Sequence, residues 1–419
     1  AWAGAVGAAV ALGPVLGGIL LQHPQWSNWL TGNDWGSVFL INVPIVLIGV
    51  IAIIKVVPET KNPNARKLDF LGLVLSVAGL VALIYGIINA SSTRDWLSLE
   101  VIIPVIIGIA IISLFLWLEA RSDHASFDVS LFRNRGYAVS LAAATMAFFA
   151  LSGITFTLPF YLQILRGYSV LTAGLCFVPF AVGQLIAAPR SAHTVQRFGY
   201  RVVMTVGLSL VALSLVGMLT LRMGTPLWVI LLIFFIFGLG MGNVIAPAST
   251  VMQNVLPLAR AGAGSAVQNT VRQVGGALGV AIIGTVLANS YANRLEPILA
   301  GSHLTAPAQA AASESVVATV DVLNGAVEQG MPSQTASALQ SNAFEAFLGA
   351  SHVTMLISLV IVVTAALLVA FLLPVIHAPQ RGDLPPAGPG AGTANDLVRE
   401  EEAEYPEQLA QEIRGDKPV

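Results

Sequence analysis

The stretch AVALGPVLGG, residues 9–18, sits inside an apolar run that carries no charged side chain from residue 1 to residue 22. Ala9, Gly13 and Gly17 fall at i, i+4 and i+8, so a helix through them offers one small-residue face to which a second backbone can come close. Pro14 removes a ladder hydrogen bond and loosens the helix there. About 20 apolar residues in a helix cross the ~30 Å core of a bilayer. Comparable stretches recur near 35–57, 70–90, 101–118, 138–164, 172–190, 202–221, 227–248, 266–289 and 351–376. The expected fold class is an all-α polytopic membrane protein with about ten transmembrane helices.

Composition agrees. Hydrophobic residues make up 56% of the 419 and charged ones 10%, against roughly 25% charged in soluble domains. The mean hydropathy is +0.79. The single cysteine, Cys176, excludes an intrachain disulfide and a cysteine-cluster metal site. His23, His124, His193, His303, His352 and His377 are scattered, and neither HExxH nor GxSxG occurs, which argues against an integral-membrane enzyme. No GxxxxGK[ST] loop is present for ATP hydrolysis. No metal, cofactor or nucleic-acid partner is expected.

Charge sets the orientation. Loops after the even-numbered spans carry Lys61, Arg66, Lys67, Arg121, Arg133, Arg135, Arg197, Arg201 and Arg260, whereas the opposite loops hold Arg94, Arg166, Arg222 and Arg294. The positive-inside rule places the first group in the cytoplasm, so the first span runs outward and the C-terminal tail lies inside. The net charge of -2 hides a basic membrane body, because nine carboxylates fall between Asp383 and Asp416. Residues 291–348, rich in Ala, Ser, Gln and Thr, read as a long external loop in which AFEAF (343–347) forms an interfacial helix leading into the last span. From Pro379 on, PPAGPGAG and the acidic run read as a disordered cytoplasmic tail.

Several motifs carry a family resemblance. AVALGPVLGG resembles, in form and position, the GxxxGPxxGG antiporter motif in the fifth span of drug exporters of the major facilitator superfamily, with Ala9 in place of the first glycine; ordinary small-residue packing is the alternative reading. WGSVFLINVP (35–44) resembles the WRxxFxINxP lead-in to the sixth span, with Gly36 replacing the arginine. LDFLG (68–72) is similar to the start of the seventh span; Asp69 there suits a helix N-terminus. LPFYLQILRGYSVLTAGLCFVPFAVG (158–183), RFGYR (197–201), GLGMGN (238–243) and AGAGSAVQNTVRQVGGALGVAIIGTVL (261–287) follow in family order. Together they resemble the fourteen-span drug:proton antiporter family of the EmrB/QacA type.

The resemblance implies four upstream spans, so the chain is expected to be a fragment holding ten of fourteen. Residues 1–57 are then the last two spans of the N-terminal half and 58–136 two linker spans with cytoplasmic loops. Residues 137–376 form a six-span C-terminal half, followed by the tail 377–419. It also implies efflux of drugs or other amphipathic molecules by alternating access in a bacterial inner membrane, driven by the proton-motive force. The partners are then a small-molecule substrate, protons and the bilayer, with accessory efflux proteins unknown. Export of a host-made antibiotic, siderophore or lipid is the alternative.

Candidate site residues come from the polar and aromatic positions. Thr145, Phe149, Ser152 and Phe156 fall at i, i+4, i+7 and i+11, a stripe that lipid contact does not require. Phe180 and Gln184 share a face of the next span with Phe177, and Asn243 is a lone amide in an apolar span. Gln163 lies in the family-like stretch. Aromatic rings with a few hydrogen-bonding groups suit amphipathic or cationic ligands; interhelical hydrogen bonding and core packing is the alternative reading. The conformational set is Gly13, Pro14, Gly17, Gly18, Arg197, Arg201 and Arg272. Arginines of the RFGYR loop are either gating residues or positive-inside anchors, and Arg272 is either a switch or an interfacial anchor. No span contains a central Asp or Glu, and the resemblance implies that the proton site lies upstream of this chain.

Overall fold

A computed structural model describes residues 13–26, 28–33, 35–56, 69–121, 129–254, 261–302 and 304–374. Among these residues every regular element is helical. Helix α1 covers Gly13–Gln22, and after a single turn at Ser37–Leu40 comes α2 (Asn42–Val56). A hairpin follows, α3 (Phe70–Thr93) and α4 (Leu99–Glu119). Helix α5 (Arg135–Pro159) widens past its proline into a π-type stretch, Phe160–Leu165. The remainder is α6 (Val170–Leu175), α7 (Val178–Met218), α8 (Leu227–Asn254), α9 (Ala261–Ala300), α10 (Ala306–Glu314), α11 (Val316–Glu328) and α12 (Ser333–Leu372).

Eight of these stretches are long and apolar enough to cross a membrane, and α1 is a shorter apolar helix. The count reconciles with ten spans at one bend. Segments 172–190 and 202–221 form a continuous helical stretch turned at Gly199, whose φ of 79° and ψ of 162° lie outside the helical region. A side chain bearing a Cβ is disfavoured at that backbone geometry, so the glycine sits where the chain reverses.

Helix α8 lies in the angle between the two limbs of α7, and backbone-to-backbone approach fixes it there. A Cβ built on Gly238 would sit 1.9 Å from the Phe180 carbonyl oxygen, and one on Gly240 2.7 Å from that of Gly207. Phe180 and Phe237 rings pack at 5.6 Å beside the first contact. Helix association in lipid depends on such close packing rather than on apolar burial. The α3–α4 hairpin is joined the same way, with Gly79 against Ile112 and Gly108 against Leu83. Asp69 caps α3 by accepting the Gly72 N–H at 2.9 Å, as its place at the helix start implies.

The hairpin is fastened to α9. Thr285 donates to the Ile87 carbonyl at 3.1 Å and Asn289 to that of Ala90 at 2.8 Å. The loops that the Lys/Arg asymmetry places outside also meet at one end of the bundle. Arg94 donates to Ser313 at 2.7 Å and pairs with Glu296, Arg166 donates to the Met223 carbonyl at 2.7 Å, and His352 meets the Leu221 carbonyl at 3.2 Å.

Residues 291–348 are not a loop. Helix α9 continues to Ala300, α10 and α11 follow, and α12 begins at Ser333, so AFEAF lies within α12 rather than in a separate interfacial helix. Alanine, glutamine and serine lower the hydropathy of this segment without opposing helix formation, and it docks through specific contacts. Tyr291 and Thr319 share a buried hydroxyl pair at 2.5 Å, and Phe347 packs against the Tyr291 ring. Ala9, Lys61, Arg66, Lys67, Arg260 and the tail 377–419 lie outside the described residues.

Candidate functional site

Helix α1 crosses the short helix α6 at the end of the bundle where the external loops gather. A Cβ on Gly18 would lie 2.8 Å from the Leu171 Cα, and one on Gly174 2.4 Å from the Pro14 carbonyl oxygen. Gly17 faces Val38 at 4.0 Å, and Gly13 has nothing within 4 Å. Pro14 and Gly18 are thus the members of the small-residue motif that touch the C-terminal spans, through backbone atoms. Sequence periodicity picked out the α1 face but missed its partner, Gly174; the only signal was a small residue in LTAG at the start of a span.

The α5 stripe faces α9. Thr145 donates to its own helix at the Leu141 carbonyl, 2.8 Å away, and its Cγ2 lies 2.7 Å from where a Gly275 Cβ would stand. Phe149 is buried, with its carbonyl oxygen 2.5 Å from a Cβ placed on Gly279. Ser152 faces Gly276 and Phe156 faces Gly284. All four therefore lie along one interhelical seam, and GGALG was legible as its other side. Gln163 is half-buried in the widened turns after α5. The remaining candidates lie elsewhere. Phe180 and Gln184 are buried in the first limb of α7, and Asn243 donates to the Leu239 carbonyl of its own helix at 2.9 Å beside Gly207.

Of these candidates Phe156 reaches a sizeable cavity. The cavity, about 550 Å³, lies between α3 and the spans α5, α9 and α12, and its walls include Ile84, Ile88, Phe156, Phe160, Tyr291 and Phe347. Phe160, Tyr291 and Phe347 were not foreseen; they project from a π-type turn and from helices read as loop. The arginines have separate partners. Arg197 is exposed and lies over the Phe198 ring at 5.3 Å, while Arg201 donates to the Ala370 carbonyl near the end of α12. Arg272 donates to Asn269 at 2.7 Å and stacks over Phe148 at 4.8 Å. It stands about 16 Å along α9 from Ala261, deeper into its helix than the span limits 266–289 imply. Among the described residues no group of three or more His, Cys, Asp or Glu is arranged to hold a metal.

The family model described as Major Facilitator Superfamily matches residues 1–280. The chain belongs to the major facilitator superfamily. It is a multi-pass membrane protein of a transporter family, related to drug efflux pumps. This superfamily member is 31% identical over 298 residues to the multidrug resistance protein Stp of Mycobacterium tuberculosis, a match covering 71% of the chain and 53% of that relative. It is 31% identical over 368 residues to the multidrug efflux pump LfrA of Mycolicibacterium smegmatis, covering 88% and 69%. Its match to the tetracenomycin C resistance and export protein of Streptomyces glaucescens is 27% identical, covering 93% and 71%. The match to Stp therefore spans about half of that relative's length.

Proposed function

We propose that the chain is part of a fourteen-span secondary efflux transporter that exports amphipathic small molecules in exchange for protons by alternating access. The observation that carries this reading is the α1–α6 crossing, where Gly18 meets Leu171 and Gly174 meets Pro14. Backbone contacts free of side-chain bulk between spans of two halves suit surfaces that separate and re-form. The family membership and the names of the relatives support the same reading. Substrate contact is assigned to Thr145, Phe149, Ser152, Phe156, Gln163, Phe180, Gln184 and Asn243, with Phe156 foremost because its ring borders the cavity. The conformational role is assigned to Gly13, Pro14, Gly17, Gly18, Arg197, Arg201 and Arg272.

Export of a host-made metabolite is the second reading, favoured by the match to a relative named for tetracenomycin C resistance and export. One experiment separates coupled export from its absence. Inverted vesicles holding the complete gene product are given an imposed proton gradient, and uptake of a fluorescent amphipathic cation is followed. Uptake that collapses with the gradient is expected. Uptake indifferent to the gradient removes proton exchange, and no uptake of this probe or of a host-made aromatic product removes export.

A further inference from the structure

A second cavity adjoins the apolar one. It measures about 750 Å³, lies toward the external end, and is bordered by Ser91, Arg94, Glu296 and Glu314. Ile88, Ser91, Ala288 and Glu314 border both spaces, so the two share a wall between α3 and the C-terminal spans. The inner chamber is walled by Ile84, Phe156, Phe160 and Phe347. Its rim residues Ile88 and Val280 are 52% and 40% exposed among the described residues. Apolar below and polar above, the pair has the profile of the outer leaflet itself.

Charge at the mouth is specific. Arg94 is taken up by Glu296 and Ser313, whereas Glu314 ion-pairs with no described residue. Arg94, Glu296 and Glu314 together leave one uncompensated negative charge, complementary to one ammonium group. Ser91 borders both spaces and brings a hydroxyl, a group able to donate to a phosphate oxygen, to their shared wall.

We propose that this double cavity binds an outer-leaflet phospholipid with a primary ammonium headgroup, one acyl chain filling the inner chamber and the ammonium resting on Glu314. The phosphate meets Ser91. The lipid holds the gap between α3 and α9 closed to water at the point where Thr285 and Asn289 tie the two helices. The proposal bears on the export reading, since the chamber is the one that Phe156 borders and a resident acyl chain would share it with substrate; photolabelling reads occupancy and not transport.

The test uses the full chain in vesicles of phosphatidylethanolamine and phosphatidylglycerol in equal amounts, each tried in turn with a photoactivatable acyl chain. Adducts are mapped by mass spectrometry. Phosphatidylethanolamine should mark peptides containing Ile84 or Phe156 about fivefold more than phosphatidylglycerol, the preference of a part-exposed ion pair. Glu314→Gln, at an exposed site, should bring the ratio near one, and Ala288→Phe, at the junction of the chambers, should remove adducts of both lipids from those peptides. Equal labelling in the unmodified chain, a preference unchanged by Glu314→Gln, or adducts surviving Ala288→Phe in a protein that still elutes as a folded species would each overturn the proposal.

Discussion

Gly174→Ala tests whether the α1–α6 crossing is a contact that opens. The added methyl would stand 2.4 Å from the Pro14 carbonyl oxygen, with the Pro14 carbonyl carbon at 2.8 Å and the Val15 nitrogen at 3.3 Å. These are backbone atoms, so no rotamer change relieves the clash, and α1 and α6 must part by about 1 Å. Overpacking of this kind costs ~1–3 kcal/mol. If the helices separate in one of two conformations, the whole cost falls on the closed one, and its population drops by about 5- to 150-fold relative to the open one. Spin labels at Leu21 and Leu175, which are 37% and 48% exposed, report the separation without entering the interface. The background is Cys176→Ser, which leaves the two introduced thiols as the ones to be labelled. The distance distribution should move toward longer values for Gly174→Ala and stay unchanged for Gly13→Ala, whose Cβ meets open space. A Gly174→Ala distribution that matches the parent, or an equal shift from Gly13→Ala, would refute the reasoning.

Further predictions follow from the same contacts. Gly238→Ala, whose Cβ would meet the Phe180 carbonyl oxygen at 1.9 Å, should lower the detergent unfolding temperature well below that of Gly49→Ala, which meets nothing within 4 Å; equal temperatures would remove the tight α7–α8 contact. Phe156→Ala in the complete protein should change which compounds are exported at unchanged surface expression, and altered expression alone would make it a packing residue. Arg272→Ala should slow transport while leaving ligand binding intact, since a switch residue acts on the conformational equilibrium; lost binding in a folded protein would argue for direct contact. Cysteines at Ser302 and Gln196 should react with impermeant maleimide from outside and inside respectively, and the reverse would invert the topology.

How far the sequence could be read depended on which signal each feature leaves. Spans were legible because bilayer crossing imposes length and apolarity on contiguous residues, and Asp69 was legible as a cap because capping is local. Gly275 and Gly279 showed as a small-residue face, and they do receive α5. The helices of 306–328 were not legible. Their Ala, Ser and Thr content carries little hydropathy signal, and what holds them is the Tyr291–Thr319 pair and the Arg94–Ser313 bond, made across long stretches of chain.

The candidate site shows the same division more sharply. Periodicity placed Thr145, Phe149, Ser152 and Phe156 on one face, and one face is what they form, but periodicity carries no depth. Along that seam Thr145 and Phe149 meet glycines at backbone range, while toward the external end, where α5 widens after Pro159, the gap opens into a cavity. The widening redirects Phe160 toward Phe347 at 6.2 Å and brings Tyr291 alongside, three aromatic rings from three separate helical segments. The stripe and the cavity therefore share one residue, Phe156, because it is the position at which tight glycine packing gives way. A substitution there acts on the cavity, whereas one at Phe149 acts first on the seam.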